Sequence, residues 1–295
     1  MLKKLARLFS PASKAGPDPD VSRVVAAVDP RIGALADHAE HLGPAIRHAR
    51  RHFARVAGEI PGPITVSARR HGRDPALGVL FPSIGDIVQG IGRSMELREA
   101  MKRADPGADH VHALMGVRRK RRPDRGDRGD ESGATHHLSD HTFRSLGPTE
   151  QHAREALGEA AFSSLVRSFS TGVVGMHRQH RLASSENELN REILSRMGGS
   201  GGEALENHLA EAARSLEPRQ ILVDLVACLQ NPERHLRLDA GNGHRVDSDG
   251  PAGIHLPLLS GTDRRDWLVC VARLPMDEVR MAMEAEPRAH RFIMI

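Results

Sequence analysis

The chain reads as an α+β protein, mainly α, with helical N-terminal and central regions and a small antiparallel β-containing C-terminal portion. Three observations predict this. Apolar residues recur at three- and four-residue steps over 32–56, 84–97, 157–176 and 205–229, the period of a helix with one buried face. From His235 the period changes, and short runs separated by Gly-, Asn- and Asp-rich pieces read as strands and turns. Finally, the chain has seven Phe, one Trp and no Tyr. Its cores are therefore built from aliphatic residues, which suits helix packing better than an aromatic-rich barrel or sandwich.

The elements follow in order. Residues 1–20 are an N-terminal segment and linker. Leu2, Leu5, Leu8 and Phe9 oppose Lys3, Lys4 and Arg7, a short amphipathic turn for which peripheral membrane contact through residues 2–9 is the alternative to docking on its own domain. Residues 21–117 form a helical domain. Asp20 caps its first piece, Asp29-Pro30 opens the second, and Gly43-Pro44 kinks or splits it. ITVSA is a short strand. Ser83 caps a helix that runs to about Arg103. Residues 108–117 read as a further helix, with a strand as the alternative. The segment 118–133 (RRKRRPDRGDRGDESG) reads as an exposed charged loop: it has dense charge, Pro, repeated Gly and no apolar residue.

Residues 134–232 form a helical hairpin region. THHLSDHTFRSL gives a short strand or hairpin. Thr149 opens the longest helical stretch, with Leu157, Ala161, Leu165, Phe169, Val173 and Met176 along one side. Residues 177–188 are polar, and the stripe returns at Leu189, Ile193 and Met197 before GGSGG stops it. Gly172, Glu186 and Asn190 interrupt any heptad seam, which argues for a local helical hairpin over a long dimeric coiled coil. Helices over 203–216 and from Pro218 follow. Residues 233–295 form a small sheet with a terminal helix at 275–286. HLRLD, GHRVD, GIHLPLL and DWLVCVARL are its strands, with GNG and DSDGPAG as turns, and the last strand is apolar on both faces, as a central strand is.

The net charge of +4 hides an asymmetry. Residues 1–128 carry 24 Lys/Arg and 14 Asp/Glu, a balance of +10; residues 129–295 carry 18 and 24, a balance of −6. Opposed halves can pair within or between chains. Cys228 and Cys270 both sit in apolar stretches, so no disulfide framework is expected. No run approaches the about 18 consecutive apolar residues of a membrane span, and the basic N-terminus lacks the apolar core of a signal peptide. The expected location is the cytoplasm.

Two clusters carry candidate chemistry. Arg118, Arg119, Lys120, Arg121, Arg122 and Arg125 could neutralise successive phosphates, and the Arg-rich loop 118–128 is the candidate nucleic-acid site. The competing reading is a solvated loop balanced by Asp124, Asp127, Asp130 and Glu131; no aromatic interleaving of the RNA-binding kind accompanies it. Among 18 histidines, His136, His137, Asp140 and His141 are the densest group. In a helix, His137 and His141 would share a face at i, i+4 and could hold a divalent metal. No HExxH-type base is present, and a fourth ligand would have to come from elsewhere. Surface histidines around a turn are the competing reading.

DSDG at 247–250 fails the calcium-loop pattern at both ends, and the Gly-x-Ser-x-Gly around Ser200 lies in a linker after a helix, where a nucleophile elbow cannot form. The two RGD tripeptides are composition, not an adhesion signal.

The pieces LFPSIGDI, ALM, SDHTF and TEQHAREAL resemble a group of proteobacterial proteins of no known function. The resemblance implies a bacterial source and no activity, cofactor or site. The residues themselves point to a non-enzymatic interaction or regulatory protein, working through amphipathic helical surfaces on a protein partner or on a second copy of itself. Nucleic-acid binding through 118–128 is the alternative, a metal-dependent enzyme around His136–His141 the second alternative. No cofactor is expected.

Overall fold

The computed structural model describes residues 18–103, 105, 107–121, 136–197, 203–246, 254–262 and 266–287. The chain makes two compact units, each from non-consecutive segments: 1–49 with 165–230, and 50–164 with 231–295.

The first unit is helical. α1 (Pro19–Val28) starts at Asp18, whose carboxylate accepts from the backbone N–H of Asp20 at 3.0 Å. The cap is therefore Asp18, not Asp20, because Pro19 already occupies the first helical position. Asp29 caps a 3-10 turn at Pro30–Ala34. α2 (His38–Glu59) runs unbroken through Pro44, so of the kink or split expected at Gly43-Pro44 the split does not occur. Burial of Leu42, Ala45, Ile46 and Ala49 holds the helix together there. α6 (Glu150–Met197) contributes its residues from Leu165 on, and α7 (Glu203–Ser215) and α8 (Pro218–Gln230) complete the unit. Val21, Val24, Val28, Ile32, Leu222 and Leu225 are among its buried residues.

The second unit is built on one six-stranded sheet. Five strands lie in the order β3-β2-β6-β5-β4: β2 (His110–Arg121), β3 (His136–Gly147), β4 (Leu236–Val246), β5 (Ile254–Gly261) and β6 (Asp266–Pro275). These pair antiparallel. The short β1 (Ile64–Thr65) adds to β6 in parallel, at Ala272 and Arg273. β6 is central, as its two apolar faces predict: Leu268, Cys270, Ala272 and Leu274 join one core cluster, and Trp267, Val269 and Val271 on the other face are also buried. Against the first face pack α3 (Pro75–Leu80), α4 (Ile84–Gly92), α5 (Met95–Met101) and α9 (Met276–Ala285). At Gly92 a Cβ would stand 2.4 Å from the Ala282 carbonyl, so only glycine lets α4 approach α9 this closely.

Three expectations give way here. Residues 108–117 are strand, not helix, because His110–Val117 finds a full ladder partner in β6, from Pro275 back to Leu268. The helix expected from Ser83 to Arg103 breaks at Ser94, whose hydroxyl caps α5 by accepting from the Leu97 N–H at 3.3 Å. GNG at 241–243 is an irregularity inside β4, between Asp239 and His244, and not a turn between two strands.

Candidate interaction surface

The two sequence clusters meet on the β2–β3 hairpin. Arg118–Arg121 lie in β2, opposite Ser139, Leu138, His137 and His136 of β3. The expected exposed loop therefore begins later than residue 118, because β3 supplies the ladder partners that extend β2. A strand sends successive side chains to opposite faces, so Arg118 and Arg119 do not form one cationic row. Arg118 is engaged within the sheet. Its guanidinium lies over the Trp267 ring, 5.9 Å from the centroid, and pairs with Asp140 at 3.6 Å. Arg119 is exposed. Arg122 and Arg125 lie outside the described residues, as do residues 2–9.

The histidine cluster is likewise in a strand, so the helical i, i+4 spacing that a metal reading needs does not form. The His141 Nε2 is 2.7 Å from the Leu80 carbonyl, and the ring stacks on Phe81 at 4.0 Å between centroids. Asp140 sits in a bulge of β3, opposite Val117, with φ of 56°. Among the described residues no three His, Cys, Asp or Glu side chains gather as a metal site. His136 and His137 are placed by backbone alone.

Beside this hairpin a cleft of about 340 Å³ opens between α4, α5 and β3. Gln89, Arg93, Glu96, Asp140 and His141 line it. Three of its charges are matched, Arg93 with Glu286 at 3.2 Å, Glu96 with Arg144 and Asp140 with Arg118, and Asp86 accepts from the Ser83 hydroxyl at 2.7 Å. The two thiols are equally committed to packing. Burial pushes the Cys270 thiol up to about 12 and raises that of Cys228, so neither supplies a thiolate near neutral pH.

A different kind of surface is found on the distal part of α6. The helix opens where the Thr149 hydroxyl accepts from the His152 N–H at 3.3 Å, and it continues past Gly172 and Gly175 for 48 residues. As far as Val173 it follows the usual rule, with Leu165, Val166 and Val173 buried. Beyond that the rule inverts. The side that turns inward carries His177, His180 and Ser184, half-buried, and Asn187, 8 % exposed. His177 Nε2 stands 3.2 Å from the Arg31 guanidinium, which also donates to the Leu216 carbonyl at 3.1 Å and holds Asp29 at 2.6 Å. These hydrogen bonds from Arg31 keep the Asp29 carboxyl below its usual range.

The opposite side carries Leu182, Leu189 and Ile193, exposed by 57 %, 58 % and 46 %. At 3.6 residues per turn these three fall within about 40° of one another, diametrically opposite Val173 and Ser184. Covering a Leu or Ile side chain contributes about 1.5–3 kcal/mol, so this stripe is a reserve of binding free energy that the monomer leaves unused. Sequence reading found Leu189 and Ile193 but missed Leu182, which it placed in a polar stretch. The signal was present: Leu182 is seven residues from Leu189 and eleven from Ile193, both helical repeats.

Comparison of the chain with protein-family models, with curated proteins and with solved structures finds no match. No helix among the described residues is long and apolar enough to cross a membrane.

Proposed function

We propose that this protein is an interaction module that docks protein partners on the outer face of α6. The observation that carries the reading is the inversion after Val173: polar residues turn inward while Leu182, Leu189 and Ile193 face water. A helix that needed only to fold would place them the other way round. The stripe is narrow and lies on one straight element, the form a partner helix can match. Nucleic-acid binding is the weaker reading, since Arg118 is held by Trp267 and Asp140.

The test is a photo-crosslinking residue placed at Leu182 or Leu189 in the full chain, with exposed Glu211 on α7 as the control position. Protein adducts should form from the two stripe positions and not from the control. Equal or absent labelling at all three would sink the reading.

A further inference from the structure

The charges beside the stripe say what kind of helix it fits. One flank carries Arg178 and Arg181 in its N-terminal half and Glu188 and Glu192 in its C-terminal half, all exposed. In an antiparallel helix pair about a twofold axis, this flank meets the same flank of the other copy. A centre near Ser185 then brings Arg178 level with Glu192 of the other copy, and Arg181 level with Glu188. The same centre sets Leu182 beside Leu189. Charge and apolar positions thus agree on one register, and opposite charges meet on both sides of the axis. A parallel pair about a twofold axis would instead turn this flank toward the opposite flank of the other copy, so Arg178 would not meet Glu192 and Arg181 would not meet Glu188. The other flank carries Gln179, Glu186 and Asn190, all exposed; Glu186 meets its own counterpart near the axis, a single like-charge contact against four opposite-charge ones.

We infer that the partner for the outer face of α6 is a second copy of this chain, bound as an antiparallel helix pair centred near Ser185. The inference rests on the reading of that face as an interaction surface and names its occupant. The pair is isologous, so it closes on itself and does not grow into a filament. The contact spans only about three turns; Glu186 and Asn190, which interrupt a longer heptad seam, fall within it on one flank.

Sedimentation velocity on the full chain, from about 1 to 100 µM, should show a concentration-dependent shift from monomer to dimer. Leu182→Asp with Leu189→Asp should leave a folded monomer throughout. Arg178→Glu with Arg181→Glu should weaken the dimer at least about tenfold, and adding Glu188→Arg with Glu192→Arg should restore it. Orientation is read in a Cys228→Ser background. A mixture of Arg178→Cys and Glu192→Cys chains should form a mixed disulfide on oxidation, while either alone should form little. A chain that stays monomeric at 100 µM overturns the inference, as does a dimer indifferent to the Leu substitutions or preferential self-crosslinking of Arg178→Cys. A monomer whose Leu189 position still labels a different protein also overturns it, while the reading of the face as an interaction surface stands. Loss of labelling at both stripe positions removes both.

Discussion

β6 and the distal part of α6 use similar aliphatic residues for opposite ends. In β6 the run Trp267 to Ala272 is buried on both faces, with neighbours on both edges and a helical layer over one face. In α6, Leu182, Leu189 and Ile193 face solvent while histidine, serine and asparagine turn inward. The difference lies in what each segment can reach. A central strand is surrounded by its own chain. The distal part of α6 belongs to the helical unit, and Leu182, Leu189 and Ile193 lie on the side that unit leaves in water. A charged residue offers a second contrast: Arg118, from the most basic run in the chain, lies over the Trp267 ring and does not stand free in water.

The comparison is broken most sharply at its two apolar ends. Leu268→Ala should cost about 2–5 kcal/mol, because β6 cannot collapse around the missing side chain. Leu189→Ala, studied at high dilution, should change stability by no more than about 0.5 kcal/mol. Urea unfolding of the two variants checks both; comparable losses would mean that Leu189 is part of a core.

A smaller effect separates the adjacent arginines. Arg118→Ala removes the contact with Trp267 and the pair with Asp140, and should cost about 1 kcal/mol. Arg119→Ala, an exposed change, should stay within about 0.5 kcal/mol. A thermal melt of each distinguishes them.

The smallest effect concerns pH. His235 is buried beside Phe53, and burial pushes its pKa below the ordinary 6.5. Between the two values the unfolded chain binds a proton that the folded chain does not, so stability falls as pH drops below about 6.5. His235→Phe should flatten that acid limb in melts recorded between about pH 7 and 5. An unchanged slope would place the acid sensitivity in other groups.

Much of this was written locally. The stripe from Ile32 to Val56 is buried at Ile32, Leu42, Ile46, Ala49, Phe53 and Val56, and Ser83 caps α4 by accepting from the Asp86 N–H at 3.2 Å. Pro218 opens α8, and the terminal helix begins within a residue of its expected start. β2 was the main failure. Ala113, Leu114, Met115 and Val117 are all buried, so the strand shows no alternation and its apolar run is as helix-like as strand-like. β4 failed for a related reason: Gly-Asn-Gly is a turn signature, but here Asp239 accepts from the Gly241 and Asn242 N–H groups and the strand resumes at His244.

The candidate surface was half legible. Leu189 and Ile193 stood out, whereas Leu182 was hidden by the polar residues around it. Those polar residues are the other half of the signal, and their direction could not be known before α6 was docked. Periodicity states which residues share a face, and so the sequence by itself determined most of the helices, the Ser83 cap and the central place of β6. Which face turns inward depends on what the rest of the chain offers it. For the distal part of α6 the structure offers Arg31, held by Asp29, and a polar face is what matches it. Only the tertiary structure could decide that Leu182, Leu189 and Ile193 face outward, because burial is a property of the partner as much as of the residue.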